Sequence, residues 1–178
     1  MRKMLFIAVS LATAAGLALA GTSAPARPTT ITAAVTGFHC QACPDQLARD
    51  LAKLPGVIAV RATMPGQVTA KLDETKTPAG RLVAAIAAHP QLMDPRKTYG
   101  ARLVVYVDSA LCQGQPKMCP ACAPEITKRL KAVKGINAVS FDKSGCVVSI
   151  GFAQGATVKT TDIARALAAS SFKFGVRF

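Results

Sequence analysis

Gly37-Phe38-His39-Cys40-Gln41-Ala42-Cys43-Pro44 sets two thiols three positions apart, and the chain on either side of it decides the fold. Before it, Ile31, Ala33 and Val35 alternate with Thr30, Thr32, Ala34 and Thr36, the period of a strand with one buried face. Gly37 ends that strand. Pro44 suits the first turn of a helix, where its missing N–H would have had no partner. Leu47, Leu51 and Leu54 then recur at helical spacing, with Asp45, Arg49, Asp50 and Lys53 mostly on the other side, and Pro55-Gly56 stops the helix.

Val57 to Met64 reads as a second strand with Val60 and Ala62 inward, and Pro65-Gly66 as a turn. Val68, Ala70 and Leu72 alternate with polar residues in a third strand, so the two form a hairpin. Pro78 opens a second helix, with Leu82, Ala85, Ile86 and His89 on one side, and Pro90 ends it. The order is β-α-β-β-α, and one more strand completes a ferredoxin-like split β-α-β unit.

The pattern then returns. Cys119-Pro120-Ala121-Cys122 stands 79 residues after the first thiol pair, and Leu47, Leu51 and Leu54 correspond to Ile126, Leu130 and Val133 at the same offset. Gly56 matches Gly135, Val60 matches Val139 and Gly66 matches Gly145. Val68, Ala70 and Leu72 match Val148, Ile150 and Phe152 at an offset of 80, so Cys146 is the simplest inserted residue. Leu82 and Ile86 match Ile163 and Leu167 at 81, and Phe172 to Phe178 reads as the last strand. Such self-similarity predicts an α+β chain of two tandem ferredoxin-like β-α-β-β-α-β domains, 29–99 and 100–178. The strand Ala101 to Asp108 suits both copies and is given to the second. The first then closes with something short near Gln91–Thr98, or the two share an edge. The second copy carries an inserted loop, 109–118, which holds Cys112.

Residues 1–20 have the pattern of a secretory signal peptide: Arg2 and Lys3, an apolar run from Leu5 to Leu19, and small residues at Ala18 and Ala20. Residues 21–28 form a proline-containing flexible lead. The expected location is periplasmic or secreted, with no stable membrane span after cleavage. The formal charge is +13, or +11 without Arg2 and Lys3. Nucleic acid is not expected as a partner: the basic residues are spread over both copies, and there is no Trp and little aromatic content for stacking. The charge reads first as that of a basic exported protein, with attraction to an acidic partner or an anionic lipid as its functional alternative.

An even cysteine count in an exported chain ordinarily means disulfides. Two thiols on a loop that leads into a helix N-terminus have a second use. Partial positive charge there favours thiolate over thiol. A thiolate pair suits soft ions of low coordination number, Cu(I) or Hg(II). Zinc, which takes four ligands, suits one pair less well.

On these residues the chain resembles the heavy-metal-associated domain family of copper chaperones, copper-ATPase N-terminal modules and periplasmic mercury-binding proteins. The family signature Gly-Met-x-Cys-x-x-Cys stands here as Gly37-Phe38-His39-Cys40-Gln41-Ala42-Cys43, and Pro55-Gly56-Val57 also fits. The leader and Cys43-Pro44 look most like the periplasmic mercury-binding branch. The resemblance implies that Cys40 and Cys43 are a metal pair, with Cys119 and Cys122 as its repeat. It also implies a metal transporter or metal-accepting protein as partner. Phe38 stands where the family has Met, and Gln115-Pro116-Lys117-Met118 replaces the signature in the second copy.

In this fold the first and third strands are antiparallel neighbours, so Cys112 and Cys146 are expected near each other. They form a disulfide that pins the inserted loop, which an oxidising compartment favours, or join Cys119 and Cys122 in a four-sulfur site. His39 abuts Cys40 as a candidate third ligand but is expected as an exposed loop residue, His89 is expected as a capping or surface residue, and Met64, Met93 and Met118 are scattered in sequence. No catalytic grouping is present, so an enzyme is not expected. The alternative to a metal carrier is a thiol-disulfide oxidoreductase or a disulfide-stapled interaction module.

Overall fold

The computed structural model describes residues 27–109, 121–170, 172 and 174–178. Its elements run β1 (Thr29–Thr36), α1 (Ala42–Leu51), β2 (Val57–Thr63), β3 (Gln67–Leu72), α2 (Ala79–Ala88), β4 (Gly100–Ser109), α3 (Cys122–Lys131), β5 (Ile136–Phe141), β6 (Val147–Phe152), α4 (Thr160–Ala168) and β7 (Phe174–Arg177). Each half is a ferredoxin-like β-α-β-β-α-β unit, and both belong to one sheet of order β2-β3-β1-β4-β6-β5, with β7 also on β4.

β4 explains how two six-element units are built from eleven elements. Its first half pairs antiparallel with β1, from Gly100↔Thr36 to Val104↔Thr32, and so closes the first unit. On its other edge Leu103 to Tyr106 pair with Ile150 to Val147 of β6, as the first strand of the second unit must. The end of the β1-bearing edge, Tyr106 to Ser109, is taken over by β7. β1 leaves β4 at Thr32 and continues along β3 alone. Ser109, the first residue of the expected insertion, is in β4.

Alternation sets which face is covered. Ile31, Ala33, Val35, Val68, Ala70 and Leu72 point under the helices of the first unit; Leu103, Val105, Val107, Val148 and Ile150 do so in the second. The helices bring Leu47, Leu51, Leu82 and Ile86, then Ile126, Leu130, Ile163 and Leu167, all buried. These side chains form one continuous core. Gly56 and Gly135, in the turns that lead into β2 and β5, have φ of +84° and +103°, the left-handed region that glycine adopts without strain.

A second tie joins the halves on the helical side. Glu74, buried in the loop before α2, accepts hydrogen bonds from the Ala79 amide (3.1 Å), the Thr160 amide (3.0 Å) and the Thr160 hydroxyl (2.6 Å). One carboxylate thus serves the first turns of α2 and α4, where unpaired N–H groups and the helix dipoles favour negative charge. Nearby, the Gly80 amide donates to the Val158 carbonyl at 2.9 Å, and a Cβ on Gly80 would lie 3.2 Å from the Phe152 ring. No helix among the described residues is long and apolar enough to cross a membrane.

Candidate metal site

Three connections meet at one end of the first unit. The β1–α1 loop carries the thiols. The β2–β3 turn is held to β1 by a hydrogen bond from the Val35 amide to the Gly66 carbonyl, 2.8 Å. The α2–β4 connection folds back so that Gln91 and Tyr99 lie under Gly37. A Cβ on Gly37 would come 2.6 Å from Gln91 Nε2 and 3.3 Å from the Tyr99 ring, and its φ is +103°. Glycine is required there on both counts.

Gln91 is itself fixed. Its amide donates to the Lys97 carbonyl (2.8 Å), and its Nε2 donates to the Thr98 carbonyl (2.8 Å). Phe38 is buried and meets the Tyr99 ring edge-on, centroids 5.2 Å apart. Phe38 therefore packs beneath the loop.

Cys40 is half-buried, Cys43 is buried, and the Cys43 amide donates to the Cys40 carbonyl at 3.1 Å. The two cysteines are joined as a disulfide, with Cα atoms 5.4 Å apart. This is the oxidised form of the pair, in which neither sulfur is a thiolate. The loop nonetheless brings both sulfurs to one point at the start of α1, the adjacency that shared coordination of a single ion needs. His39 is exposed, and among the described residues no group of three or more His, Cys, Asp and Glu side chains converges as a metal cage.

Cys119 and Cys112 lie outside the described residues. Cys122 opens α3 and is fully buried, as Cys43 is in α1. Cys146 is a thiol directed at the Ser144 carbonyl, 3.7 Å away. The Ser144 hydroxyl accepts from the Cys146 amide at 3.2 Å and donates to Asp142, which closes the β5–β6 turn around the cysteine. Its expected partner, Cys112, lies outside the described residues, so the expected disulfide falls outside them as well.

Two features escaped sequence reading because they unite distant segments. Met64 is exposed in the β2–β3 turn and rims a groove of about 520 Å³ between α1 and β2, whose wall includes Gln41 and Pro44 beside the thiols. On the opposite flank of α1, Leu92 borders a smaller hollow of about 220 Å³ with Gln46, Asp50, His89 and Tyr99. Exposed side chains from both connections, Met64 on one side and Leu92 on the other, therefore border hollows along the two flanks of α1. His89, expected as a capping or surface residue, caps the C-terminus of α2 and is half-buried; its Nε2 is 3.2 Å from Asp50 Oδ2 and its Nδ1 2.8 Å from the Pro90 carbonyl. Asp50 also accepts from Lys53 and Gln46 at 2.7 Å each, and the Lys53 hydrogen bond leads in holding its pKa down at about 2.

No family model and no curated protein matches the chain. Two solved structures are similar to it. The water-soluble region of the P-type ATPase CopA from Bacillus subtilis is 18% identical, with 85% of this chain and 93% of that one covered at a TM-score of 0.39. The solution structure of the N-terminal soluble domains of Bacillus subtilis CopA is 18% identical, over 85% and 95%, at a TM-score of 0.40. These superpositions are loose, and the functional reading rests on the chain's own residues.

Proposed function

We propose that the protein carries a soft metal ion, Cu(I) or Hg(II), between Cys40 and Cys43, and passes it to a metal transporter or other metal-accepting protein by exchange of thiolate ligands. One observation carries this reading: two sulfurs in contact at a helix N-terminus, on a loop that Gly37, Phe38, Gln91 and Tyr99 pack into place. Sulfur donors and a two-ligand site select soft ions over zinc, calcium or magnesium. The helix start lowers the cost of the second thiolate.

Loading begins from the disulfide and needs two electrons. A dithiol reductant supplies them and is itself oxidised to a disulfide. The two thiols of the protein then release their protons as the ion binds. In transfer, a thiolate of the acceptor enters while one of Cys40 or Cys43 leaves, so the ion never lacks a sulfur ligand. The leader at residues 1–20 supports a periplasmic or secreted carrier rather than an enzyme. The second thiol pair, Cys119 and Cys122, is a second loading point of the same chemistry.

The disulfide favours one other reading, a thiol-disulfide oxidoreductase that uses the same two cysteines. Alkylation of the purified protein followed by mass spectrometry separates the two. After mild anaerobic reduction, added Cu(I) or Hg(II) is expected to protect Cys40 and Cys43 from alkylation with one ion retained, and Cys40→Ser/Cys43→Ser to lose that ion. If reduction exposes both thiols but no ion is retained, carriage fails. Turnover of a model disulfide with thiols cycling between states then establishes the redox reading.

A further inference from the structure

The helices cover one face of the sheet and leave the other open. Register aligns the open-face side chains in rows. Arg61 of β2 stands beside Thr69 of β3, Thr32 of β1, Val104 of β4, Ser149 of β6 and Ser140 of β5. Lys71 stands beside Thr30, Arg102 beside Ala34, and Arg177 beside Tyr106. Between Arg61, Lys71 and Arg102 the floor is Thr30, Thr32, Ala34, Gln67 and Thr69, with Val104 beside Thr32.

Charge is sorted between the two faces. Of the nine acidic residues in the chain, Asp108 is the one on the open face; the other eight lie on helices and in connections. Among the described residues every ion pair is likewise on that side, as in Lys53–Asp50, Arg129–Glu125 and Arg165–Asp162. Arg61, Lys71, Arg102 and Arg177 are all exposed, and none is in an ion pair among the described residues. Arg102 donates only a 3.3 Å hydrogen bond to the Ser140 hydroxyl.

We infer that this open face binds an acidic polypeptide segment, laid across the strands from Arg61 through Lys71 to Arg102. Shape decides among the anionic partners. Adjacent strands rotate by about 20–25°, so six strands accumulate roughly 100°. A flat bilayer then meets the cations of one end only, whereas a flexible chain follows the twist. Single-stranded nucleic acid needs aromatic platforms, and Tyr106 is the one aromatic side chain among the described residues of this face. Arg61 and Arg102 are three strands and two register positions apart, about 16 Å at the usual spacings, which five or so extended residues span. Short hydroxyl side chains in between offer donors to carboxylates without blocking the approach. This surface is independent of the thiols and operates whatever their redox state.

The test uses fluorescence anisotropy of a fluorescein-labelled peptide of alternating Glu and Ser with the purified protein. Binding that weakens as salt rises is expected. Arg61→Glu/Lys71→Glu/Arg102→Glu should weaken it by at least about tenfold, a difference of 1.4 kcal/mol. Lys128→Glu/Lys131→Glu/Lys134→Glu, which changes net charge equally on the helical side, should leave it within about twofold. Circular dichroism confirms that both variants fold, and Arg61→Glu alone gives an intermediate loss. Equal weakening by the two triple variants would show that only net charge matters and overturn the proposal. So would tighter binding to phosphatidylglycerol vesicles or to oligo-dT than to the peptide at matched charge.

Discussion

The two thiol-bearing ends are built differently although their helices superimpose in sequence. In the first unit, Gly37 and His39 bound a short loop that Tyr99 and Gln91 support from below. The support comes from the α2–β4 connection, whose own hydrogen bonds fold it back on Gly37. In the second unit the equivalent connection, from α4 to β7, runs only from 169 to 173, against 89 to 99 in the first, and residues 110–121 separate β4 from α3. The difference teaches that a repeated sequence motif does not carry its own scaffold. Cys43 and Cys122 are equally buried at their helix starts, yet the first loop is fixed by residues more than fifty positions away.

The sharpest way to break the comparison is to empty each core in turn. Leu47 and Ile126 hold corresponding positions and are fully buried. Leu47→Ala and Ile126→Ala should each cost about 2–5 kcal/mol, set by how far the cavity collapses. Because β4 belongs to both units, urea unfolding followed by circular dichroism should show each variant lowering one shared transition. Two transitions, each moved by only one of the substitutions, would mean that the units unfold separately despite the shared strand.

Glu74 tests the tie on the helical side. Glu74→Ala leaves the Ala79 and Thr160 amides and the Thr160 hydroxyl without their buried acceptor, a loss of about 1–3 kcal/mol. Glu74→Gln keeps an acceptor oxygen and should lose less. Equal midpoints for the alanine variant and the parent in the same urea experiment would show that water replaces the carboxylate, and that β4 alone joins the units.

Much of this architecture is legible in the residues. Apolar spacing marks Leu47, Leu51, Ile126 and Leu130 as core, and the pairing of Gly56 with Gly135 anticipates two positive-φ turns at the starts of β2 and β5. Alternation also identifies β4, but period two says that a segment is a strand and not which strands flank it. The fork at Thr32, where β7 takes over the edge, depends on three-dimensional space between strands. The thiol site divides the same way. The spacing of Cys40 and Cys43 is local and could be read. The shelf of Gln91 and Tyr99, the approach of Met64 and the role of Glu74 join residues with no periodic relation, so no pattern announces them.

Gly37 against Gly155 sharpens the contrast between supported and open loops. Both have positive φ, +103° and +74°. A Cβ at Gly155 meets nothing within 4 Å, whereas at Gly37 it collides with Gln91 Nε2. Gly155→Ala should cost about 1–2 kcal/mol from backbone strain alone. Gly37→Ala should reach about 3 kcal/mol and also displace the thiol loop, seen as faster alkylation of Cys43 after reduction. Equal costs would mean that the Gln91 side chain moves aside freely.

The smallest effect is a difference in acid response at the ends of α1 and α3. Asp50 stands 79 residues before Arg129, so corresponding positions carry opposite charge. Lys53 and Gln46, with His89 from α2, hold the Asp50 carboxyl down at about 2 from its ordinary 3.8. A lowered folded-state pKa means that the unfolded chain takes up the proton first. Stability from Asp50 is therefore present above about pH 4 and is lost as pH falls through about 2. In Asp50→Asn this part of the acid limb should vanish, so urea midpoints of variant and parent converge between pH 4 and pH 2 while the parent stays ahead at pH 7. Arg129→Gln should also shrink the acid limb, because Arg129 lowers the Glu125 pKa through its 2.7 Å hydrogen bond. That pair lies within one helix, where such contacts contribute little, whereas the Asp50–His89 contact joins α1 to α2 beside the shelf. If the two variants respond alike, the Asp50–His89 contact adds nothing to the bracing of the first thiol loop.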